Sequence, residues 1–150
     1  MTVYRTYPDT AALFGDLMTR EWAPFVAAAA GGDLTSASQF ASIVVDTVTA
    51  LRSDELFQRI LDVDPDLLLP YLIERRGRTQ EAFIDMLVAL ISHGQDSGAV
   101  RAGDPTTIAR TLLLAAHGFL LSSQTMAEDD QEESRLQQEF WHLIERYLAP

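Results

Sequence analysis

The stretch from Asp104 to Gln124, DPTTIARTLLLAAHGFLLSSQ, decides the fold of this chain. Asp104 is a favoured helix N-cap residue, and Pro105 stands at the first helical position, where its missing amide hydrogen is not needed. The apolar run that follows lacks the alternation of apolar and polar residues that is typical of a strand. The stretch therefore predicts one long and mostly apolar helix.

This predicted helix has more apolar surface than one layer of neighbouring helices covers. At about 100° per residue, its main apolar side chains fall on one arc of about 160°. They are Ile108, Ala109, Leu112, Leu113, Ala115, Ala116, Phe119 and Leu120. Leu114 and Leu121 form a second stripe, separated from the first by the polar line Arg110, His117 and Gln124. Apolar surface on both sides indicates burial in a larger assembly.

The last helix, predicted over Leu136 to Leu148, has an equally wide apolar arc. We therefore predict a homodimer whose interface is formed by the last two long helices. The residues assigned to this interface are Leu114, Phe119, Leu121, Phe140, Trp141, Ile144 and Leu148. The alternative is a monomeric bundle in which both helices are central, because periodicity alone does not count the layers around a helix.

Proline, glycine and N-cap residues divide the rest of the chain into helices. The earlier helices are predicted to begin near Asp9, at Ser36, at Ser53, at Leu67 and at Thr79. The fourth of these is a short helix over Leu67 to Glu74, and the fifth ends at Gly98, where a left-handed cap belongs. The acidic residues between Ala127 and Glu133 are expected to form a solvated link. The whole chain is therefore predicted to be an all-α, seven-helix bundle.

The composition excludes several classes of chemistry. The 150 residues include 22 Asp and Glu, 11 Lys and Arg, three His and no Cys, for a net charge of −11. The absence of cysteine excludes disulfides and cysteine nucleophiles, and the scattered histidines disfavour a zinc site. The negative charge repels a phosphate backbone. Because no catalytic, phosphate-binding or metal motif is present, we expect no enzymatic activity and no cofactor.

Two features of the sequence bear on its location. The N-terminus, MTVYRTYP, has no apolar core of the kind that a secretory signal requires. The most apolar long stretch, Thr111 to Leu121, is far shorter than the roughly 20 residues of a membrane span. We therefore expect a cytoplasmic protein that has no membrane partner.

The segment from Thr2 to Phe14, TVYRTYPDTAALF, resembles a specific stretch of the tetracycline-repressor (TetR) family of transcriptional regulators. In that family, the DNA-recognition helix ends and the connecting helix begins within a motif that reads approximately T-[LV]-Y-x-[YH]-F-P-S-K-x-x-L. The family's C-terminal regulatory domain is similar to the segments Leu56 to Leu67, Gly98 to Arg101 and Gly103 to Pro105. The resemblance implies a helical ligand-binding and dimerisation domain over residues 9–150.

The resemblance also implies a limited role in DNA binding. Two further helices precede this motif in the family, so residues 1–8 are expected to be a remnant of the recognition helix, with Thr2 and Tyr4 as its DNA-binding candidates. The basic residue that the family places at the start of the connecting helix is Thr10 here, beside the acidic Asp9, which weakens phosphate anchoring. Operator DNA is therefore expected as a partner only when the two preceding helices are present.

The family's ligand pocket implies a mostly apolar cavity between helices that each supply a large side chain here. Its predicted lining residues are Trp22, Phe25, Phe40, Val44, Thr47, Phe83, Leu87 and His117. His117 is expected to orient a small apolar or aromatic ligand, because a neutral imidazole both donates and accepts hydrogen bonds. The alternative is that His117 is a polar residue satisfied at a helix interface.

Two functions follow from this resemblance. The first is a ligand-responsive repressor of the TetR family, reduced in this chain to its regulatory and dimerisation module. The alternative is a helical interaction protein, which dimerises with an intact relative and itself binds neither DNA nor ligand.

Overall fold

The computed structural model describes residues 36–68 and 76–150, together with eight positions in an N-terminal segment. Those positions, all helical, are 16, 17, 19–21, 23, 24 and 27. The predictions that lie outside the described residues are those on Thr2, Tyr4, Trp22 and Phe25 and the domain boundary at residue 8.

Helices make up the secondary structure of the described residues, and no strand occurs among them. The five complete helices are α1 (Ala37–Arg52), α2 (Glu55–Val63), α3 (Arg78–Asp96), α4 (Pro105–Met126) and α5 (Asp130–Leu148). A short 3-10 helix, Pro65–Leu68, follows α2. The prediction of an all-α protein is confirmed.

The predicted count of seven helices is wrong. With the N-terminal helical positions taken as one helix, the described part of the chain has six α-helices. The 3-10 helix Pro65–Leu68 stands where a helix over Leu67 to Glu74 was predicted, and residues 69–75 lie outside the described part. In the sequence itself, Pro70 argues against the predicted α-helix, because a proline cannot donate to the carbonyl four residues earlier and disfavours the helical conformation of the residue before it.

The start of α5 corrects a second prediction, because most of the supposed acidic link belongs to this helix. Asp129 is the N-cap, and its carboxylate accepts a hydrogen bond of 2.7 Å from the amide of Glu132. Asp130, Glu132 and Glu133 then occupy the first turn. Carboxylates are favourable at this end of a helix because the unpaired amide groups there carry partial positive charge.

The predicted end of α3 before Gly98 and the predicted start of α4 after Asp104 are confirmed, whereas α3 begins at Arg78, one residue before the predicted Thr79. Asp104 caps α4, accepting hydrogen bonds of 2.8 Å from the amide and 2.6 Å from the hydroxyl of Thr107. These bonds hold the pKa of the Asp104 carboxyl below its usual range. Gly98 follows α3 with φ +76°, the left-handed conformation that glycine adopts without strain.

Helix α4 is the centre of the packing. It contacts α1, α3 and α5, while α1 also packs along α5. The largest fully buried side chains of the described part come from all five helices: Phe40, Phe57, Ile91, Leu112, Phe140, Ile144 and Leu148. The rings of Phe119 on α4 and Phe140 on α5 stack with their centroids 3.9 Å apart. The core is therefore continuous across α4.

Polar contacts fix both ends of α5 to other elements. At its start, Glu133 forms an ion pair with the buried Arg52 at the end of α1. At its end, the amide of Arg101, in the loop between α3 and α4, donates to the carbonyl of Leu148 at 2.9 Å. The Arg101 Nε also donates to the carbonyl of Tyr147 at 2.7 Å, and its guanidinium lies 4.4 Å from the centre of the Tyr147 ring. Helix α5 is thus attached to α1 and to the loop that follows α3.

Gly94 on α3 provides a test of this packing, because a Cβ atom there would lie 2.5 Å from Cγ2 of the buried Val100. Valine is stiff and cannot rotate away. Overpacking costs roughly 1–3 kcal/mol, which exceeds the helix-propensity gain of about 1 kcal/mol. We expect Gly94→Ala to lower the free energy of unfolding by about 1 kcal/mol in urea denaturation.

Gly118→Ala is the matched control. Gly118 is exposed on α4, and an added Cβ would have no atom within 4 Å. Because Gly118 lies one turn from Leu114 and Leu121 on the predicted dimer surface, both glycine substitutions are compared in the Leu143→Glu background, in which we expect a monomer. Without overpacking, Gly118→Ala should raise the free energy of unfolding by roughly 0.5–1 kcal/mol. A Gly94→Ala protein as stable as the Gly118→Ala protein would contradict the close packing of α3 against the following loop.

Candidate ligand cavity

A cavity of about 70 Å³ lies between α1 and α3, with α4 as its floor. Its lining residues are Ile43, Val44, Thr47, Val48, Leu51, Thr79, Gln80, Phe83, Met86, Leu87, Leu112, Leu113, Ala116, His117 and Leu120. The cavity exists because α1 and α3 each pack against α4 but make few close backbone approaches to each other. Helical spacing places the lining side chains of each helix on one face.

Five of the predicted ligand residues lie together on this lining: Val44, Thr47, Phe83, Leu87 and His117. They come from three helices, and only the packing of α1 and α3 on α4 brings them together.

Phe40 does not line this cavity. It lies in the core with 1% of its surface exposed. One helical turn separates Phe40 from Val44, and the sequence does not show which of the two faces the gap between α1 and α3.

Several lining residues were missed by the sequence analysis, although a signal for them exists. Thr79 and Met86 lie four and three residues from Phe83, and Leu113 and Leu120 lie four and three residues from His117. Residues at these spacings share a helix face with a lining residue. Extending each predicted residue by one turn in both directions would have found them.

The hydrogen-bonding groups of the lining belong to Thr47, Thr79, Gln80 and His117. Thr47 Oγ1 donates at 2.7 Å to a main-chain carbonyl one turn earlier in α1. Gln80 Oε1 accepts a bond of 2.8 Å from the main-chain amide of the N-cap residue of α3. Thr79 Oγ1 lies at hydrogen-bond distance, 2.8 Å, from Thr19 Oγ1. Three of the four polar side chains are therefore already engaged in the protein.

His117 differs from the other three. It is half-buried on α4 and makes no hydrogen bond to another described residue. Burial lowers the pKa of its imidazole, because an apolar environment disfavours the charged form. At neutral pH the ring is therefore neutral, with one nitrogen that donates and one that accepts a hydrogen bond.

The volume of the cavity limits what it holds in this conformation. Drug-sized ligands occupy pockets of roughly 300–1,000 Å³, and a cavity of about 150 Å³ in another protein accommodates benzene. At about 70 Å³, this cavity is smaller than either. A bound aromatic molecule would therefore require the lining to move, through the flexible side chain of Met86 or through separation of α1 from α3.

The predicted dimer surface divides into an outward and an inward part. Leu114 is 72% exposed, and Phe119, Leu121 and Trp141 are half-buried. Trp141 also donates from its indole Nε1 to Ser42 Oγ of α1 at 3.0 Å.

The other three assigned residues, Phe140, Ile144 and Leu148, are at most 1% exposed. They pack within the protomer and present almost no surface to a second copy. The sequence analysis did not assign Leu143, a residue of the same helix that is 53% exposed. A wide apolar arc shows that a helix is covered on more than one side, but not which part of the arc its own protomer covers.

The described residues form neither a metal-binding cluster nor a membrane-spanning helix. No three His, Asp or Glu side chains within them are placed to hold a metal ion. No helix in the described ranges has the length and apolar character needed to cross a bilayer.

The chain is similar over 149 residues, 99% of its length, to helix-turn-helix (HTH) type transcriptional regulators of mycobacteria. Two come from Mycobacterium tuberculosis, strains CDC 1551 / Oshkosh and ATCC 25618 / H37Rv, and one from Mycobacterium bovis strain ATCC BAA-935 / AF2122/97. Each is 29% identical, is covered over 76% of its own length and bears the name "uncharacterized HTH-type transcriptional regulator". No family model and no solved structure matches the chain. The similarity supports transcriptional regulation as the class of function.

The pKa of His117 gives a testable pH dependence. Because its pKa is lowered in the folded state, the unfolded chain binds more protons as the pH falls below the ordinary histidine value of about 6.5. The resulting stabilisation is complete above that value and is lost as the pH falls through the folded-state pKa. We expect the free energy of unfolding to fall less between about pH 7 and pH 5 in His117→Gln than in the unchanged protein. Equal losses, measured by urea denaturation at both pH values, would contradict a desolvated His117.

Proposed function

We propose that the chain belongs to a TetR-family transcriptional regulator and contains its ligand-binding and dimerisation domain. The cavity carries this proposal, because it brings residues of α1, α3 and α4 together with His117 in an apolar setting. Small-molecule sites of this composition have mostly apolar walls and a few polar groups that orient the ligand. The curated relatives, which are named HTH-type transcriptional regulators, support the part of the proposal that concerns transcriptional regulation.

The proposed ligand is a small apolar or aromatic molecule, which enters between α1 and α3. Because such a molecule exceeds the present volume of about 70 Å³, it binds an arrangement in which these helices are further apart. A ligand shifts an equilibrium between two arrangements by the difference in its affinity for them. In the proposed regulator, the ligand binds more tightly to the arrangement that has the lower affinity for operator DNA. Ligand binding therefore reduces DNA binding.

The contacts of α5 provide a physical route from the cavity to the dimer surface. Trp141 of α5 is hydrogen-bonded to α1, and the carbonyls at the end of α5 accept hydrogen bonds from Arg101 after α3. When α1 and α3 separate, these contacts transmit the displacement to α5. The proposed homodimer uses the outward apolar side chains of α4 and α5, among them Leu114 and Leu143. A stable interface of this kind buries roughly 2,000 Å² or more.

One observation favours a second function. The small volume of the cavity is compatible with simple imperfect packing, and the exposed leucines on α4 and α5 then serve a partner helix alone. In that case the chain is a helical interaction protein that pairs with an intact relative. Ligand binding separates the two functions.

A thermal-shift screen of small aromatic and aliphatic compounds tests the sensor function. A compound at a hundred times its dissociation constant stabilises the fold by roughly 2.7 kcal/mol. The cavity-filling substitution Ala116→Leu should abolish this stabilisation, because it places an isobutyl group in about 70 Å³ of free space. Ala89→Leu, at an exposed position of α3, is the matched control and should leave binding unchanged.

Two results would contradict the sensor function. If no compound raises the unfolding midpoint, the interaction protein is the better account. If a compound stabilises the Ala116→Leu protein as much as the unchanged protein, binding takes place outside this cavity.

A further inference from the structure

The described lining of the cavity combines hydrogen-bonding groups with an absence of charge. None of its fifteen residues is Asp, Glu, Lys or Arg. Charged residues adjoin the lining in sequence at five positions, which are Asp46, Arg52, Arg78, Glu81 and Asp85. Arg78 is exposed and shares the carboxylate of Asp16 with Arg20, at 2.5 Å and 2.9 Å. None of these charged residues belongs to the described lining.

Among the polar side chains of the described lining, His117 is the best placed to recognise an uncharged polar atom of a ligand. The side chains of Thr47, Thr79 and Gln80 have hydrogen-bond partners within the protein. His117 has none among the described residues, and its neutral ring carries one donor and one acceptor nitrogen. A ligand hydroxyl or carbonyl can therefore form a new hydrogen bond with His117 without breaking an existing one.

A charged group on a ligand finds no partner of this kind in the described lining. Transfer of a carboxylate or an ammonium from water into an apolar cavity is strongly unfavourable unless an opposite charge pairs with it. The described lining offers no such charge, and burial disfavours protonation of His117. The environment that keeps this imidazole neutral also opposes an anion or a cation placed beside it.

From this lining we infer that the cavity selects neutral molecules: an apolar body with one uncharged hydrogen-bonding group, such as an alcohol, a phenol or a ketone, directed at His117. The corresponding carboxylates and amines are excluded. This inference rests on the proposed ligand-sensing function and narrows its ligand class.

Four single-ring probes test the selection at neutral pH: toluene, benzyl alcohol, benzoate and benzylamine. They share one apolar body and differ in the attached group, so affinity differences report the group alone. Single rings are chosen because a larger body requires greater movement of the lining. Ligand-observed NMR with the purified chain gives the affinities, and the Ala116→Leu protein identifies binding outside the cavity. We expect benzyl alcohol and toluene to bind at least about tenfold more tightly than benzoate and benzylamine.

Two substitutions test the role of His117. His117→Leu should lower the affinity for benzyl alcohol relative to toluene by up to about tenfold, because the hydrogen-bonding partner is lost. Thr47→Val is the matched control within the same cavity. It removes a hydroxyl that already donates to a main-chain carbonyl, so the ratio of the two affinities should not change. An unchanged ratio in a folded His117→Leu protein would show that His117 does not recognise the polar group.

The outcomes separate this inference from the function on which it rests. If benzoate or benzylamine binds in the cavity as tightly as benzyl alcohol, the selection for neutral ligands is wrong and ligand sensing stands. If none of the four probes binds and the compound screen also gives no stabiliser, both fail together. The probe series on the unchanged protein decides the charge selection even if His117→Leu does not fold.

Discussion

The packing of α4 is the constraint on which the other features of this protein depend. Three helices, α1, α3 and α5, pack against it, and Leu112 and Leu120 are buried in those contacts. Leu114 of the same helix remains 72% exposed, because the three neighbours do not enclose it. The cavity and the proposed dimer surface are two consequences of one arrangement. On one side, α1 and α3 straddle α4 without closing on each other, and on another its apolar surface has no neighbour within the described part of the chain.

Helix α5 connects several elements of this arrangement to one another. It packs along α1, its first turn pairs with Arg52, and its last carbonyls accept hydrogen bonds from Arg101. These contacts join α5 to α1 and to the loop that follows α3. In the proposed regulator, an increase in the distance between α1 and α3 is passed to α5 through these contacts. Ligand binding in this proposed regulator moves whole helices between two arrangements. The cavity and the dimer surface are then coupled without a chain of individual side-chain shifts.

Much of the fold was predictable from short-range signals such as helix caps. These signals do not specify which helices pack against each other. The cap at Asp104 and the left-handed Gly98 are encoded within a few residues, so the sequence alone locates them. The start of α5 was missed because an acidic run suits both a solvated loop and a helix N-terminus, and the cap at Asp129 decides between them. Helical periodicity places Phe40 and Phe140 on apolar faces but does not identify the covering neighbour. For that reason five of the fifteen lining residues were predicted, and three of the seven residues predicted for the dimer surface are buried within the protomer.

Sedimentation equilibrium at low micromolar concentration tests the central claim, that the outward apolar side of α4 and α5 is covered by a second copy of the chain. The account predicts twice the chain mass of 16.6 kDa for the unchanged protein and the single mass for Leu114→Glu and Leu143→Glu. Val63→Glu, at a position of α2 that is 82% exposed, should remain dimeric. A monomeric unchanged protein, or dimers that persist in both leucine variants, would contradict the account.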